Sequence, residues 1–390
     1  MLLDLPYNII NKIINNINDS ISYINLRISC KDMYGLLEMI KLFHDNGCRK
    51  GIIYISDHKK HGISQFWYKN NSLKSLYIYK SDYLHGKVLK YHENGNYKFH
   101  GFYKYGMYDG MIKVWYPNGM LYSCVFYLDY SKNGFETLFY PNGCIMEHAY
   151  YITGNYDGKV TKYWENGNKM IEYNNKNHKK EGIYKEWYND GSIKIICDYK
   201  NNNLHGSYNH FYQNGKFKYE YYMKHGVLHG TYLEFYDNDN VKVKCNYYYG
   251  GLNGLYRYKY SNGLNCITSY YKYGKEDGIV FSYFPNGKLL SKCHMNNGLK
   301  DGKYEIYSYQ NVLIELSEYN NGELYNHLKL YDNGKLKEIC LYDDTQNIIL
   351  NKKWYVNSKP IKEYINYGKI NILTFWYPNG DILYSNLLEE

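Results

Sequence analysis

Glycine recurs at Gly62, Gly86, Gly110, Gly134, Gly158, Gly182, Gly206, Gly230, Gly254, Gly278 and Gly302, eleven times at an unbroken spacing of 24. The 390-residue chain holds only 34 glycines, so this phase is not an accident of composition. Self-similarity at such a period restricts the fold to a repeat architecture, each unit one supersecondary element that buries its apolar face against its neighbours. The residue before each glycine is short and polar or a histidine, as in His61, His85, Asp109, Asp157, His205, His229 and Asp301.

A second row lies nine residues further on and reads Asn94-Gly95, Asn118-Gly119, Asn142-Gly143, Asn166-Gly167, Asp190-Gly191, Asn214-Gly215, Asn262-Gly263 and Asn286-Gly287. Asn-Gly between apolar runs predicts a hairpin with a type I′ turn, which needs positive φ at both central residues. An aromatic pair precedes this turn: Trp67-Tyr68, Trp115-Tyr116, Tyr163-Trp164, Trp187-Tyr188, Phe211-Tyr212. Adjacent strand residues point to opposite faces, so the pairs predict two aromatic ladders, one on each face of the sheet. Trp115, Trp164 and Trp187 are framework in this reading. A return strand follows, carrying Tyr79, Tyr103, Tyr127, Tyr151, Tyr199, Tyr247, Tyr271 or Tyr319, and then a second loop, often with its own glycine such as Gly106 or Gly154. The expected fold is mainly β: an elongated single-layer antiparallel meander of about a dozen hairpin repeats. The phase slips near the end, where Asn326 replaces a glycine and Asn333-Gly334 comes one residue early.

The chain contains 55 tyrosines and only 13 phenylalanines. Tyrosine offers a large apolar body with a hydroxyl that tolerates water, which suits a thin sheet with half-wet faces. The net charge of +9 is spread along the chain without a localised basic stripe. That pattern predicts solvated faces and no specific nucleic-acid partner, leaving at most a weak contact with anionic lipid. Nine cysteines occur without a C-x-x-C pair. Cys197, Cys245, Cys293 and Cys340 fall at one repeat position in alternate repeats, roughly 19 Å apart at about 4.8 Å per strand. Disulfides are excluded at that distance, so these are expected to be small, reduced, buried residues. Met1-Leu-Leu-Asp-Leu-Pro lacks a basic n-region, and no apolar run approaches a membrane span, which predicts a cytoplasmic protein. The richness in Asn, Ile, Lys and Tyr matches an AT-rich genome such as a giant virus, in which case the compartment is the host cytoplasm.

The segments DGMIKVWYPNGML at 109–121 and DGKVTKYWENGNK at 157–169 resemble the MORN-repeat variant. The resemblance covers roughly residues 51–390 and assigns a repeat domain to residues 46–390. It implies a β-ribbon linked to scaffolding, membrane apposition, lipid-headgroup contact or dimerisation, and in bacterial variants to an antitoxin-like inhibitor.

Residues 1–45 carry no trace of the period. Ile9, Ile10, Ile13, Ile14 and Ile17 recur at helical spacing after Leu5-Pro6, and Pro6 suits a first helical turn. Further apolar sets at Ile21, Ile24, Leu26 and Ile28, then at Met33, Leu36, Leu37 and Ile40, extend the helical reading. This pattern resembles an F-box, with Ser29 and Met33 departing from its usual residues. The resemblance implies that Leu5, Pro6, Ile9, Ile13, Ile17, Leu26 and Cys30 face a Skp1-like adaptor. The plainer reading of the same residues is a helical cap on the first hairpin.

Catalytic signatures are absent from the sequence. No nucleophile elbow, P-loop or dinucleotide fingerprint occurs. The repeat-equivalent His61, His85, His205 and His229 exchange with Asp and Asn, as turn formers do. Neighbours such as His205 and His229 fall roughly 10 Å apart, too far to share a metal. The expectation is a non-enzymatic binding protein without cofactor or metal: an F-box-type receptor of a Skp1-cullin ubiquitin ligase holding an unknown target. A membrane-associated or dimeric scaffold, paired through its open sheet edge, and an antitoxin-like inhibitor are the alternatives.

Overall fold

A computed structural model describes residues 26–32, 35–45, 47–343, 345–368 and 370–389. Every regular element among them is a β-strand. The chain divides into two units, Met1–Lys180 with Asn189–Gly191, and Glu181–Tyr188 with Ser192–Glu390. Each is an open antiparallel meander in which successive strands pair.

One repeat shows the construction. The outgoing strand Gly110–Trp115 pairs with the return strand Leu121–Leu128 in the register Ile112↔Val125 and Val114↔Ser123. At the joining turn Tyr116 N–H donates to the Met120 carbonyl (2.9 Å), and Gly119 N–H donates to the Tyr116 carbonyl (3.0 Å). Gly119 has φ +90° and Asn118 does not adopt positive φ. The Asn-Gly row is therefore a type I turn closed by a left-handed glycine, not the expected type I′ turn. Pro117 fits here because its fixed φ suits the first central position of a type I turn.

Type I′ geometry sits at the other edge. Leu128 pairs with Ser131, leaving the two-residue loop Asp129-Tyr130, whose φ values are 46° and 68°. The equivalent loops Tyr105-Gly106, Thr153-Gly154 and Asn297-Gly298 also have both φ positive. The 24-residue glycines serve neither turn. Between Val125↔Glu136 and Tyr127↔Lys132, three residues around Gly134 oppose Phe126 alone. Each periodic glycine thus marks a β-bulge, and all eleven have positive φ, from 78° to 114°. In the slipped repeat, Glu318↔Asn326 and Tyr319↔Leu324 leave only Tyr325 unpaired. A one-residue deletion has narrowed the bulge and spared the strands, which is why the next turn comes early.

Two strands lie within the amino-terminal segment. Leu26–Asp32 (β1) and Gly35–Phe43 (β2) are strands, paired in the register Ile28↔Met39 and Cys30↔Leu37, and β2 pairs with Arg49–Ser56 (β3). Helices were expected over Leu26–Ile28 and Cys30–Ile40. Leu26, Ile28 and Cys30 alternate with period two, and an open strand edge offers them a template that a short helix lacks. The helix expected over Ile9–Ile17 lies outside the described residues.

The core is one face of each meander. In the first unit Val88, Phe99, Ile112 and Val125 form a buried cluster flanked by Tyr77, Tyr103 and Tyr127, followed by Ala149, Tyr151 and Val160. In the second unit tyrosine takes the outgoing position and a small residue faces it, in Tyr184↔Cys197, Tyr232↔Cys245 and Tyr304↔Ser317. The space beside the small residue admits a second ring edge-on, as in Tyr184–Tyr199 at 5.7 Å and Tyr232–Tyr247 at 5.9 Å. Cys197, Cys245, Cys293 and Cys340 are buried and form no disulfide, as their spacing predicted.

Consecutive repeats are pinned by side chains at the turn edge. Tyr116 Oη donates to the Phe139 carbonyl at 2.9 Å, 23 residues on, and Tyr68, Tyr140, Tyr188 and Tyr212 repeat the bond. Asn118 Nδ2 donates to the Pro141 carbonyl (3.0 Å), while its Oδ1 accepts from Met120 N–H (3.0 Å). Where the second aromatic of the pair is a tyrosine, it is therefore a hydrogen-bonded pin beyond the strand end, not a ladder on the opposite face. Tyr116→Phe keeps the ring and deletes one pin. We expect it to lower stability by about 1 kcal/mol, read as a shift in urea midpoint at constant m-value.

Candidate binding surface

Much of the charge on the first face is held in ion pairs, while Lys90 lies over the Tyr77 and Phe99 rings. Glu136 and Lys132 meet at 2.7 Å, Glu147 and Lys162 at 3.1 Å, Glu186 and Lys194 at 2.6 Å, and Glu234 and Lys242 at 2.7 Å. Burial pushes the phenols of this face above their ordinary range, as at Tyr127, Tyr173, Tyr199 and Tyr208. Tyr156 reaches about 12 through burial and its hydrogen bond to Glu147, and Tyr271 about 12 through burial and the Glu276 charge. Burial likewise lifts the Cys245 thiol to about 11. At neutral pH these groups are protonated, so they offer hydroxyls and a thiol rather than phenolates or a thiolate.

Two of the histidines before the periodic glycines, His205 and His229, act as loop acceptors. His205 Nδ1 receives the His225 N–H and His229 Nδ1 the Tyr249 N–H, both at 3.4 Å. Glu181 Oε2 and Asp301 Oδ1 receive Asn201 and Asn321 N–H at equivalent places. A shared acceptor role explains why His, Glu and Asp exchange there. Among the described residues no group of three or more His, Cys, Asp or Glu is arranged to hold a metal. Nor is any helix there long and apolar enough to cross a membrane.

The second face of the first unit differs. Residues following the periodic glycine and their cross-strand partners form an apolar row, in Ile63↔Ile78, Met111↔Phe126 and Phe135↔Tyr150, with Phe102 opposite Lys87. Phe135 is 59% exposed, Phe102 43%, Met111 42% and Phe126 39%. Strand residues whose rings stay this open, neighbour beside neighbour, form a contiguous apolar surface rather than scattered exposure. The row stops at the next repeat, where Lys159 pairs with Asn174 and forms an ion pair with Glu172 (3.1 Å).

Leu5, Pro6, Ile9, Ile13 and Ile17 lie outside the described residues, whereas Leu26 and Cys30 fall on β1. Trp115 packs with Tyr97 at 5.3 Å, Trp187 pairs with Ile193, and Trp164 opens a turn through its N–H to the Asn168 carbonyl. The apolar row was missed from sequence because its positions vary between repeats. Their even phase, one residue after each periodic glycine, was the available signal.

A model of the MORN repeat variant matches residues 60–81, 84–105, 108–129, 180–201, 228–247 and 276–297. These six segments are similar to the MORN repeat variant. They coincide with the bulge, the outgoing strand, the type I turn and the return strand described above. No curated protein matches the chain. Among solved structures, TcdB2-TccC3-Cdc42 is similar over 90% of this chain and 22% of its own, at 9% identity and TM-score 0.16. The Photorhabdus luminescens Tc holotoxin pore is similar over 93% and 22%, at 9% identity and TM-score 0.15. This chain thus spans about a fifth of the length of those it matches, and at that TM-score neither fold nor function transfers.

Proposed function

We propose that this MORN-repeat chain is a non-catalytic binding protein whose second face, in the first unit, receives a protein target. The supporting observation is the exposed row Ile63, Phe102, Met111, Phe126 and Phe135. Apolar rings left open on a soluble surface mark contact sites, and aromatic anchors dominate binding energy at such sites. A receptor of this kind raises the local concentration of its target and performs no bond chemistry. The finer reading is an F-box-type receptor. Leu5, Pro6, Ile9, Ile13 and Ile17 would dock a Skp1-like adaptor, and Leu26 and Cys30, now on a strand, leave that set.

Two experiments test the reading. Captured partners of the wild type are compared with those of Phe126→Ser/Phe135→Ser, with the unfolding midpoint as a control. A partner held by wild type and lost at least tenfold in the variant, at equal stability, is the expected result; identical capture by both overturns the face assignment. Separately, a Skp1-like protein is expected to bind wild type and to lose binding in Leu5→Ala/Pro6→Ala/Ile9→Ala. Equal binding by both, or none by either, ends the ligase reading while leaving the binding face standing.

A further inference from the structure

The aromatic position that closes each outgoing strand has one cationic exception. Trp187, Phe211 and Phe235 occupy it in successive repeats, Lys259 follows, and Tyr283 and Tyr307 resume the series. Where rings are present they fill the column, as in Phe211–Phe217 at 4.8 Å and Phe217–Phe235 at 6.0 Å. Lys259 instead faces Asn265 across the hairpin, so neither strand supplies a ring there. An open cavity of about 440 Å³ occupies the gap, lined by Val241, Lys244, Arg257, Lys259 and Asn265.

Its charge is as unusual as its shape. Lys244 and Arg257 are direct cross-strand partners, an arrangement that costs stability because like charges then face each other closely. Among the described residues none of Lys244, Arg257 and Lys259 has an ion pair, whereas Lys194 and Lys242 in the same unit hold Glu186 and Glu234 at 2.6 and 2.7 Å. Three cations without a carboxylate therefore line one cavity that the loss of a ring has opened.

We propose that this cavity binds a small polyanion bearing phosphoryl groups. Arg257 supplies a planar fork of donors suited to phosphate oxygens, and the two lysines add mobile point charges. The Asn265 amide offers further donors beside them. A single carboxylate would leave two of the three cations uncompensated, so a multiply charged group fits better. A soluble phosphate ester and a lipid headgroup share this chemistry, and the test has an arm for each.

Calorimetric titration of the full chain with tripolyphosphate is the primary experiment. Wild type is expected to bind with an affinity that falls as salt rises. Lys259→Phe restores the ring, fills the cavity and is expected to weaken binding at least tenfold without lowering the unfolding midpoint. Arg257→Thr should do the same with the cavity open. Lys113→Thr, a cation removed from the other unit, should change affinity less than twofold. Absence of binding by wild type, or equal weakening by Lys259→Phe and Lys113→Thr, overturns the proposal. Flotation of the same proteins with phosphatidylserine vesicles separates the sources: loss confined to the cavity variants assigns the phosphoryl group to a headgroup. Unchanged flotation beside lost tripolyphosphate binding assigns it to a soluble ligand.

Discussion

Gly101→Val is expected to destabilise the first unit by about 2–3 kcal/mol, the range for forcing methyl groups into a filled core. Gly101 does not adopt the left-handed conformation, so the effect is one of space. A Cβ there meets Ile112 Cδ1 at 2.5 Å and Phe99 Cζ at 2.7 Å. It faces Val88 across the hairpin, in the middle of the buried cluster of Val88, Phe99, Ile112 and Val125. Ile112→Ala alone should cost about 2–4 kcal/mol through the cavity that it leaves. Combined, the two changes should cost less than their sum, because the valine occupies the space that the isoleucine vacates. Hydrogen exchange across residues 86–134 reads both local and global loss, which matters in a repeat array where stability is a sum of neighbouring terms. Strict additivity of the two costs would mean that the close approach at Gly101 is not what limits this core.

Alkaline unfolding between about pH 10 and 12 is expected to be steep. Burial raises the phenols of Tyr79, Tyr127, Tyr173, Tyr199, Tyr247 and Tyr256, among others, and Tyr156 and Tyr271 reach about 12. Unfolded tyrosine ionises near 10, so above that pH the unfolded chain holds fewer protons than the folded one. Stability is then fully present below pH 10 and is lost as pH rises through the folded values. Each phenol is partly solvated and contributes only a fraction of the maximum slope, but their number makes the sum large. Unfolding followed by circular dichroism, and ionisation followed by phenolate absorbance, should coincide in one transition. Gradual ionisation of most tyrosines with the sheet intact would contradict the burial on which the first face depends.

Much of this architecture is legible in the glycine and aromatic phase, but not all of its chemistry. The period places every turn and bulge, since a positive-φ position recurs wherever the backbone repeats. It does not say which row serves which purpose. Asn-Gly resembles a type I′ signal, yet Asn118 closes a type I turn because its side chain both accepts from Met120 N–H and reaches the next repeat. That second bond exists only when another repeat lies alongside. The left-handed pairs Asp129-Tyr130 and Asp57-His58 carry no glycine at all, so composition conceals the true type I′ loops. At Leu26–Phe43 local spacing permitted a helix, and pairing with the neighbouring strand selected β.

By itself the sequence determined a β-hairpin array with a period of 24, and reduced, buried cysteines at Cys197, Cys245, Cys293 and Cys340. Both follow from local chemistry repeated in phase. Only the tertiary structure decided which face is core, where the apolar row of Met111, Phe126 and Phe135 stays open, and that Lys259 leaves a cavity. Those features depend on what neighbouring strands bring alongside, and a side chain's exposure is a property of its neighbours, which a single repeat does not contain.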